Sequence, residues 1–239
     1  MIPELKDILF LDIETVAIES QFDTLDERLK AQWSRKANFL RRGTDQSDDF
    51  LYQDRAGIFA EFGKIICIAV GKFVDIDSGG LGLRTKVYAG HDEGEILCAF
   101  KTMIEKLDQN TIKLCAHNGK EFDFPYLCRR MLVNSISLPA ALSISGRKPW
   151  DIPHLDTMEM WKFGDFKHYT SLDLLAALFD IPTSKGDIDG SQVNTIYHQS
   201  KDIGRISDYC VRDVVVLAQL YLKLKVIKLE RELKVIGVE

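Results

Sequence analysis

The sequence has no uninterrupted apolar run of the roughly eighteen residues that a membrane-spanning helix requires. Its amino terminus, MIPELKDILFLDIET, carries acidic residues inside its apolar stretch and shows no basic leader, so neither a membrane span nor a secretory signal is expected. The net charge of −5 also lacks the basic excess that is usual in nucleic-acid-binding proteins. Charge totals conceal local patches, however, so nucleic acid stays open as a partner.

Cysteine pairs are also missing. The five cysteines stand singly in apolar segments, and no Cys-x-x-Cys pair occurs: Cys67, Cys98, Cys115, Cys128 and Cys210. An odd, scattered set argues against a zinc site or a disulfide framework. It indicates reduced core thiols and a cytoplasmic protein.

The rest of the composition is ordinary, with 46% hydrophobic and 28% charged residues over a chain of 239. Apolar runs predict strands at 8–11, 64–74, 84–90 and 111–117, with a short fifth strand around 153–157. Helical spacing predicts helices over 92–107, 124–133, 193–201 and 206–225. This order predicts a single α/β domain over residues 1–239, built on a mixed sheet with helices on its faces.

Two helix starts carry capping signals. Asp123 is expected to cap the helix that follows it, with Pro125 in the first turn. Thr170 and Asp173 are predicted to form a capping box before the helical stretch LDLLAALF.

A long insertion separates the first two strands, from Val16 to Phe62. It contains an amphipathic helix followed by an acidic stretch, and an insertion of this length is usually functional or a subdomain. The helix and its end carry six basic residues: Arg28, Lys30, Arg35, Lys36, Arg41 and Arg42. They are interpreted either as a clamp on a nucleic-acid backbone or as the solvated face of a helix that covers the sheet edge.

The helix at 206–225 places an acid on its apolar face. At about 100° per residue, the face centred on Asp213 also carries Tyr209 and Cys210 among aliphatic residues, and no basic residue. A lone ionised carboxylate buried there would cost several kcal/mol, so Asp213 needs a positive partner.

Other acids occur in places that suit the same partner. Asp12 and Glu14 leave the same face of the first strand, near its predicted end, although Asp-x-Glu alone is often only the start of a loop. Asp123 by itself would be an ordinary helix cap, and Asn118 an ordinary turn residue. Together, four acids without dedicated His or Cys ligands favour hard cations such as Mg²⁺ or Mn²⁺.

These motifs together resemble a known family. DIET, Asn118-x-x-x-Phe122-Asp123 and Tyr209-x-x-x-Asp213 are similar, in this order, to the three motifs of the DEDD 3'-5' exonucleases, and the tyrosine indicates the DEDDy branch. TSLDLLAALFDIP, KGDIDGSQV and YCVRDV look like free-standing bacterial exonucleases related to the proofreading domain of family-B DNA polymerases. The resemblance covers roughly residues 7 to 225.

The resemblance implies a fold, an activity and a set of roles. The fold would be ribonuclease H-like with a five-stranded mixed sheet, and the activity would be 3'-5' exonuclease with two divalent cations, Mg²⁺ or Mn²⁺. By analogy, Asp12, Glu14 and Asp213 bind one cation, Asp12 bridges to the second, and Asp123 acts largely through water on the metal. Tyr209 orients the attacking water, which suits a side chain that is protonated at pH 7.

The substrate is less defined. Single-stranded DNA ends are preferred, RNA is the alternative with the same chemistry, and a non-catalytic binding module is the rival of another class. Candidate substrate contacts are Asn118 at the terminal nucleotide, Lys185 at a phosphate, and Phe122 or Phe124 stacked on a base, although core packing is the simpler expectation for both phenylalanines. DNA repair or replication proteins are candidate partners that no residue pattern identifies.

Overall fold

A computed structural model describes residues 5–76, 80–165, 169–183, 186 and 188–238 of the chain. The strands in this part are β1 (Ile8–Ala17), β2 (Gly63–Asp75), β3 (Leu81–Ala89), β4 (Lys113–Ala116), β5 (Leu155–Asp156) and β6 (Lys234–Gly237). The helices are α1 (Glu27–Arg41), α2 (Asp48–Arg55), α3 (Glu93–Ile104), α4 (Asp123–Val133), α5 (Thr157–Lys162), α6 (Leu172–Leu178), α7 (Val193–Ser200) and α8 (Ile203–Leu224).

The strands form one mixed sheet in the order β5-β4-β1-β2-β3-β6. The pairs β1–β2 and β2–β3 are antiparallel, whereas β4–β1, β5–β4 and β6–β3 are parallel. The predicted count of five strands is therefore wrong by one. The sixth strand, β6, has only four residues and little burial, so its sequence carries no clear strand pattern.

β1 lies in the middle of the sheet with both faces covered. Leu9 and Leu11 join the core on the side of α3 and α4, while Ile8 and Phe10 join the core under α8. Burial on both faces explains the continuous apolar run in this strand. The strand extends past its predicted end to Ala17, so the DIET motif lies within β1 rather than after it.

The helix α8 crosses the sheet and packs on β1, β2 and β3. Asp202 caps it by accepting the backbone N–H of Arg205. The predicted apolar face is buried, including Tyr209, Cys210 and Asp213. The polar side of the helix is only partly exposed, since Arg205 and Arg212 are half-buried.

Both predicted caps are shifted by one residue. Asp123 is the first residue of α4 and Phe122 occupies the cap position, because the turn before the helix closes one residue earlier than predicted. Ser171, rather than Thr170, caps α6 by accepting the backbone N–H of Leu174, and Asp173 accepts a hydrogen bond from Thr183 instead.

The insertion forms a small packed unit with its own core. Trp33 of α1 and Tyr52 of α2 meet edge to face with ring centroids 5.2 Å apart, and Phe62 packs on the other side of Trp33. The indole N–H of Trp33 donates to the carbonyl of Asp48 at 2.9 Å. The unit packs on Ala17 where β1 leads into it, at the end of two central strands and not along a sheet edge.

Two expectations from composition can be compared with the structure. No helix within the described ranges is long and apolar enough to cross a membrane. Cys67, Cys115 and Cys210 are buried as predicted for core thiols, but Cys98 is exposed on α3 and Cys128 is half-buried.

Candidate active site

Asp12 and Glu14 continue the row of β1 side chains that faces α8. Ile8 and Phe10 are the first two residues of this row and lie in the core, and the next two, Asp12 and Glu14, carry carboxylates. β4 pairs with β1 only from Ile8 to Phe10, so the β4 side of β1 is open beyond that point. A cleft of about 720 Å³ lies there with both carboxylates in its lining.

α8 contributes two further side chains to this cleft. Tyr209 and Asp213 are one helical turn apart, so both point at the same part of the sheet. The Tyr209 hydroxyl donates a hydrogen bond to the Asp213 carboxylate. Asp213 is only 8% exposed, which confirms that the acid on the apolar face is buried.

Asp123 reaches the cleft from the first turn of α4. Its carboxylate accepts its own backbone N–H and the N–H of Ile13, which is a donor on the part of β1 beyond the end of β4. Asp123 therefore covers the open side of β1. Acids from β1, α4 and α8 line one cleft as the three motifs predicted.

The acids strongly disfavour each other's ionisation. Burial raises the pKa of Asp12 and of Glu14 well above the usual range, and the neighbouring Asp213 raises both further. Burial likewise raises the pKa of Asp123 to about 7, against the opposing effect of its backbone hydrogen bonds. Buried carboxylates that lie next to one another therefore disfavour the loss of further protons.

The donor set fits a hard cation. Ligand atoms of Asp12, Glu14 and Cys210 lie within 4.8 Å of one another, which places a thiol beside two carboxylates. Burial raises the pKa of the Cys210 thiol, so it stays protonated and donates to Asp12 Oδ2 at 3.3 Å instead of acting as a thiolate ligand. The oxygen atoms that remain are those that Mg²⁺ or Mn²⁺ prefers.

Tyr209 is suited to positioning and not to proton abstraction. Burial raises its pKa, and the negative charges of Asp213, Glu14 and Asp12 raise it further, so the hydroxyl keeps its proton at neutral pH. Its oxygen faces Gly190, where a Cβ would stand 3.8 Å away. The phenol therefore presents an oxygen to the cleft while its proton is held by Asp213.

The predicted substrate contacts separate into three groups. Asn118 and Phe122 line the cleft, and Asn118 holds a left-handed backbone with φ 63° and a buried Oδ1 that has no hydrogen-bond partner among the described residues. Phe124 is fully buried against His154 with ring centroids 5.0 Å apart, so it is a core residue and cannot stack on a base. Lys185 lies outside the described residues.

The cleft also contains side chains that the sequence did not single out. His117 is fixed by Thr157 at 2.9 Å and by the carbonyl of Thr170 at 2.8 Å, and burial lowers its pKa. Tyr169 is 67% exposed at the rim, and Arg55 and Ile58 come from the insertion. None has a local motif, because the loops that bring them to the cleft are positioned only by tertiary contacts.

Asp156 supports this region without entering the cleft lining. It is buried, and it accepts the backbone N–H groups of Asn118 and Lys120 at 3.0 and 3.1 Å. It also caps α5 by accepting from Met158 and Glu159. The carboxylate thus fixes the turn that carries Asn118.

Acids from three chain segments at the open end of a mixed sheet are typical of metal-dependent nucleases with a ribonuclease H-like fold. Residues 58–234 match the family model described as a predicted 3'-5' exonuclease related to the exonuclease domain of PolB. The chain therefore belongs to this family, and the prediction of a 3'-5' exonuclease is confirmed. The match includes Asp123, Tyr209 and Asp213, while Asp12 and Glu14 precede it.

The structure is also similar to that of a family B DNA polymerase from the hyperthermophilic archaeon Pyrobaculum calidifontis. The TM-score is 0.55 at 16% sequence identity, over 91% of this chain and 24% of the polymerase chain. This chain thus spans about a quarter of the polymerase, and the likeness confirms the fold. No curated protein sequence matches the chain.

Proposed function

We propose that the protein is a metal-dependent 3'-5' exonuclease that prefers single-stranded DNA and uses two divalent cations, Mg²⁺ or Mn²⁺. The observation that supports this most directly is the convergence of Asp12, Glu14, Asp123 and Asp213 with Tyr209 in one cleft. Arg55 is the only arginine or lysine among the described residues that line this cleft, so acidic side chains outnumber basic ones in this described lining.

In this proposal the four carboxylates would bind two cations. Asp12, Glu14 and Asp213 would hold one, Asp12 would be shared with the second, and Asp123 would orient water beside it. Two such cations would stabilise the attacking and the leaving oxygen of a phosphoryl displacement.

The side chains would orient the reacting groups for hydrolysis. The Tyr209 oxygen accepts a hydrogen bond from the attacking water, because the phenolic proton is already donated to Asp213. The water oxygen then forms a bond to phosphorus and releases a proton to solvent, while the bond from phosphorus to the 3' oxygen of the preceding nucleotide breaks and that oxygen takes up a proton from solvent. The products are a nucleoside 5'-monophosphate and a strand shorter by one nucleotide with a new 3' hydroxyl.

The preference for a single strand rests on the rim of the cleft. Phe122 is half-buried against Tyr126, with ring centroids 5.3 Å apart, and it lines the cleft together with Tyr169 and Ile58. Aromatic and apolar side chains stack on unpaired bases, and such stacking is worth about 1 to 3 kcal/mol per base. A paired base would have to be opened before it made these contacts.

The test is degradation of oligonucleotides labelled at either end, with Mn²⁺ or Mg²⁺ present. Single-stranded DNA should shorten from the 3' end, faster than a matched duplex and a matched RNA strand. Asp213→Asn serves as the inactive control. If a protein shown to bind Mn²⁺ left the 3' end of every strand intact, the proposal would be wrong.

A further inference from the structure

The insertion forms one wall of the cleft. A second cavity of about 430 Å³ adjoins the cleft and shares with it Glu14, Arg55, Ile58 and Phe122. Residues 53–58, which span the end of α2 and the 3₁₀ turn Ala56–Ile58, border this continuous space. The insertion therefore extends from its own core to the edge of the carboxylate cluster.

The turn in this wall is fixed against the sheet and α4. The carbonyl oxygen of Gly57 accepts hydrogen bonds from Thr15 Oγ1 and from the Tyr126 hydroxyl, both at 2.8 Å. A Cβ at Gly57 would stand 3.2 Å from the backbone of Val16, so glycine allows this approach without displacing the strand. The residues on either side of Gly57 thereby gain a defined position beside β1.

A second contact holds the other end of the wall. Asn194 of α7 donates to the carbonyl of Gln53 at 3.0 Å and accepts the backbone N–H of Ala17 at 2.9 Å. One side chain thus joins α2 to β1. The segment that carries Arg55 is held by contacts on both sides of it.

Arg55 differs from the six basic residues of α1 and its end, which were interpreted either as a clamp or as a solvated face. Lys30 pairs with Glu27, Arg41 pairs with Asp48, and the Lys36 ammonium lies 4.1 Å from the Phe59 ring centroid. None of the six α1 cations lines the cleft or the adjoining cavity. Arg55 is exposed, lines both, and makes no ion pair with the described residues.

We propose that Arg55 binds a backbone phosphate of the substrate strand next to the scissile phosphate, so that the insertion is a substrate-positioning element. This inference rests on the proposed exonuclease function. Guanidinium groups pair with phosphate oxygens through two parallel hydrogen bonds, and the backbone that carries Arg55 is already fixed beside the cleft. It also offsets the repulsion between a polyanionic strand and the acids at the floor of the cleft.

The competing explanation is local. Arg55 ends α2, where a cation interacts favourably with the helix dipole and touches no substrate. That role predicts a change in stability and no change in substrate affinity. The two explanations therefore differ in what they predict for KM.

The first experiment compares Arg55→Ala with Arg35→Ala, which removes an exposed charge from α1 of the same insertion. We expect Arg55→Ala to raise KM for a single-stranded oligonucleotide about tenfold, with kcat within about twofold, whereas Arg35→Ala leaves both unchanged. Arg55→Lys should lie between Arg55→Ala and wild type, because it keeps the charge and loses the fork. Thermal unfolding of each variant reports any loss of stability.

The second experiment locates the phosphate. Single phosphates near the 3' end are replaced in turn by neutral methylphosphonates, and binding is measured by fluorescence anisotropy in an Asp213→Asn background with Mg²⁺. At one position, the substitution should weaken binding in the presence of Arg55 and have no further effect in Arg55→Ala. The salt dependence of log Kd should also fall by about 0.7 in Arg55→Ala, as for one phosphate contact on a single strand.

Equal KM values for Arg55→Ala and Arg35→Ala, with no position of the scan sensitive to Arg55, would overturn the inference. Failure of the exonuclease proposal would be seen separately, because wild type would then degrade no 3' end. The anisotropy scan does not depend on cleavage, so it still reports whether Arg55 contacts a phosphate.

Discussion

The two faces of the central sheet each bury acidic side chains, but in opposite circumstances. On the side of α3 and α4, Glu93 is buried against Arg130. On the side of α8, Asp12, Glu14 and Asp213 gather around the cleft, and Arg55 is the only arginine or lysine among the described residues of its lining. Burial alone therefore does not distinguish a structural acid from a candidate catalytic one.

The hydrogen-bond partners make the distinction. The Glu93 carboxylate accepts from the backbone N–H of Ile65 at 2.7 Å, from Arg130 Nη2 at 2.6 Å and from Asn134 Nδ2 at 2.9 Å. Arg130 also donates to the carbonyl of Ala60 at 2.9 Å. Both charged groups of this ion pair have several hydrogen-bond partners. The pair joins α3, α4 and the start of β2, which is a structural role.

The carboxylates of the cleft lie beside one another, and Asp12 accepts a hydrogen bond from the neutral Cys210 thiol. Burial and mutual repulsion raise the pKa values of Asp12, Glu14 and Asp123. The fold therefore holds these carboxyl groups together although each disfavours the ionisation of the others. Such an arrangement persists only when the rest of the fold imposes it, and perturbed acids in a cleft are typical of functional sites.

The largest effect is expected for Asp213→Asn. Removing this charge takes a ligand from the proposed cation site, and the loss of several kcal/mol of charge stabilisation corresponds to a decrease in kcat of about a thousandfold or more. Without metal, the same change removes repulsion from Asp12 and Glu14, so the free energy of unfolding should stay the same or rise by about 1 kcal/mol. Single-turnover cleavage and urea unfolding in EDTA measure the two effects.

A loss of stability is expected instead when the ion pair on the side of α3 and α4 is broken. Arg130→Met leaves Glu93 buried without its cation, which should lower the free energy of unfolding by about 3 kcal/mol or more. The pairing itself is tested by adding Glu93→Gln, which should restore part of the loss. If Asp213→Asn destabilised the metal-free protein as strongly as Arg130→Met does, the cleft acids would be structural too.

Sequence patterns predicted the acids on the α8 side of the sheet better than the ion pair on the side of α3 and α4. Asp213 on an apolar helix face and the Asp-x-Glu pair on a strand are local patterns, and the acids of the cleft were identified from these patterns together with the resemblance to the exonuclease motifs. Glu93 and Arg130 are 37 residues apart and share no pattern, so their pairing exists only in the folded chain. Long-range pairing of this kind cannot be read from periodicity.

The same reason explains the errors in the fold and in the basic clamp. The elements that were predicted occur in the predicted order because apolar runs and helical spacing are local, but the short helices α2 and α5 were not predicted. β6 was missed because its four residues are paired by a strand about 150 positions earlier, and the caps moved by one residue because turn geometry decides them. A clamp was one of two interpretations of the basic residues of α1, whereas tertiary contacts bring Arg55 of α2 to the cleft.

A divalent cation should reverse the repulsion in the cleft. Because the pKa of Asp123 is raised from about 4 to about 7, the metal-free protein loses stability as the pH rises from about 4 to 7, and the last part of this loss falls just above pH 6.5. A bound cation favours the ionised form, so Mn²⁺ at about 100 times its Kd should stabilise the protein by about 2.7 kcal/mol at pH 8 and by less at pH 6.5.

The pH range of this measurement is chosen to exclude His154. Burial lowers the pKa of His154 to about 4, so its effect on stability is lost as the pH falls from 6.5 toward 4, in the opposite sense to Asp123. Unfolding is therefore followed from pH 6.5 to 8.5 with Mn²⁺ or EDTA. Asp213→Asn should lose most of the Mn²⁺ effect, and an equal effect in this variant would place the cation elsewhere.

The smallest effect is expected for Tyr209→Phe, and it separates orientation from binding within the cleft. The variant keeps all four carboxylates, so the stabilisation by Mn²⁺ should not change, whereas kcat should fall about tenfold to a hundredfold because the water loses its acceptor. Tyr221→Phe is the matched control, since Tyr221 lies about three turns farther along α8 and packs on Phe10 with ring centroids 5.6 Å apart. Its kcat should stay within about twofold of wild type. A weaker Mn²⁺ effect in Tyr209→Phe would instead mean that the hydroxyl acts by holding Asp213 in place, which would make Tyr209 part of the cation site.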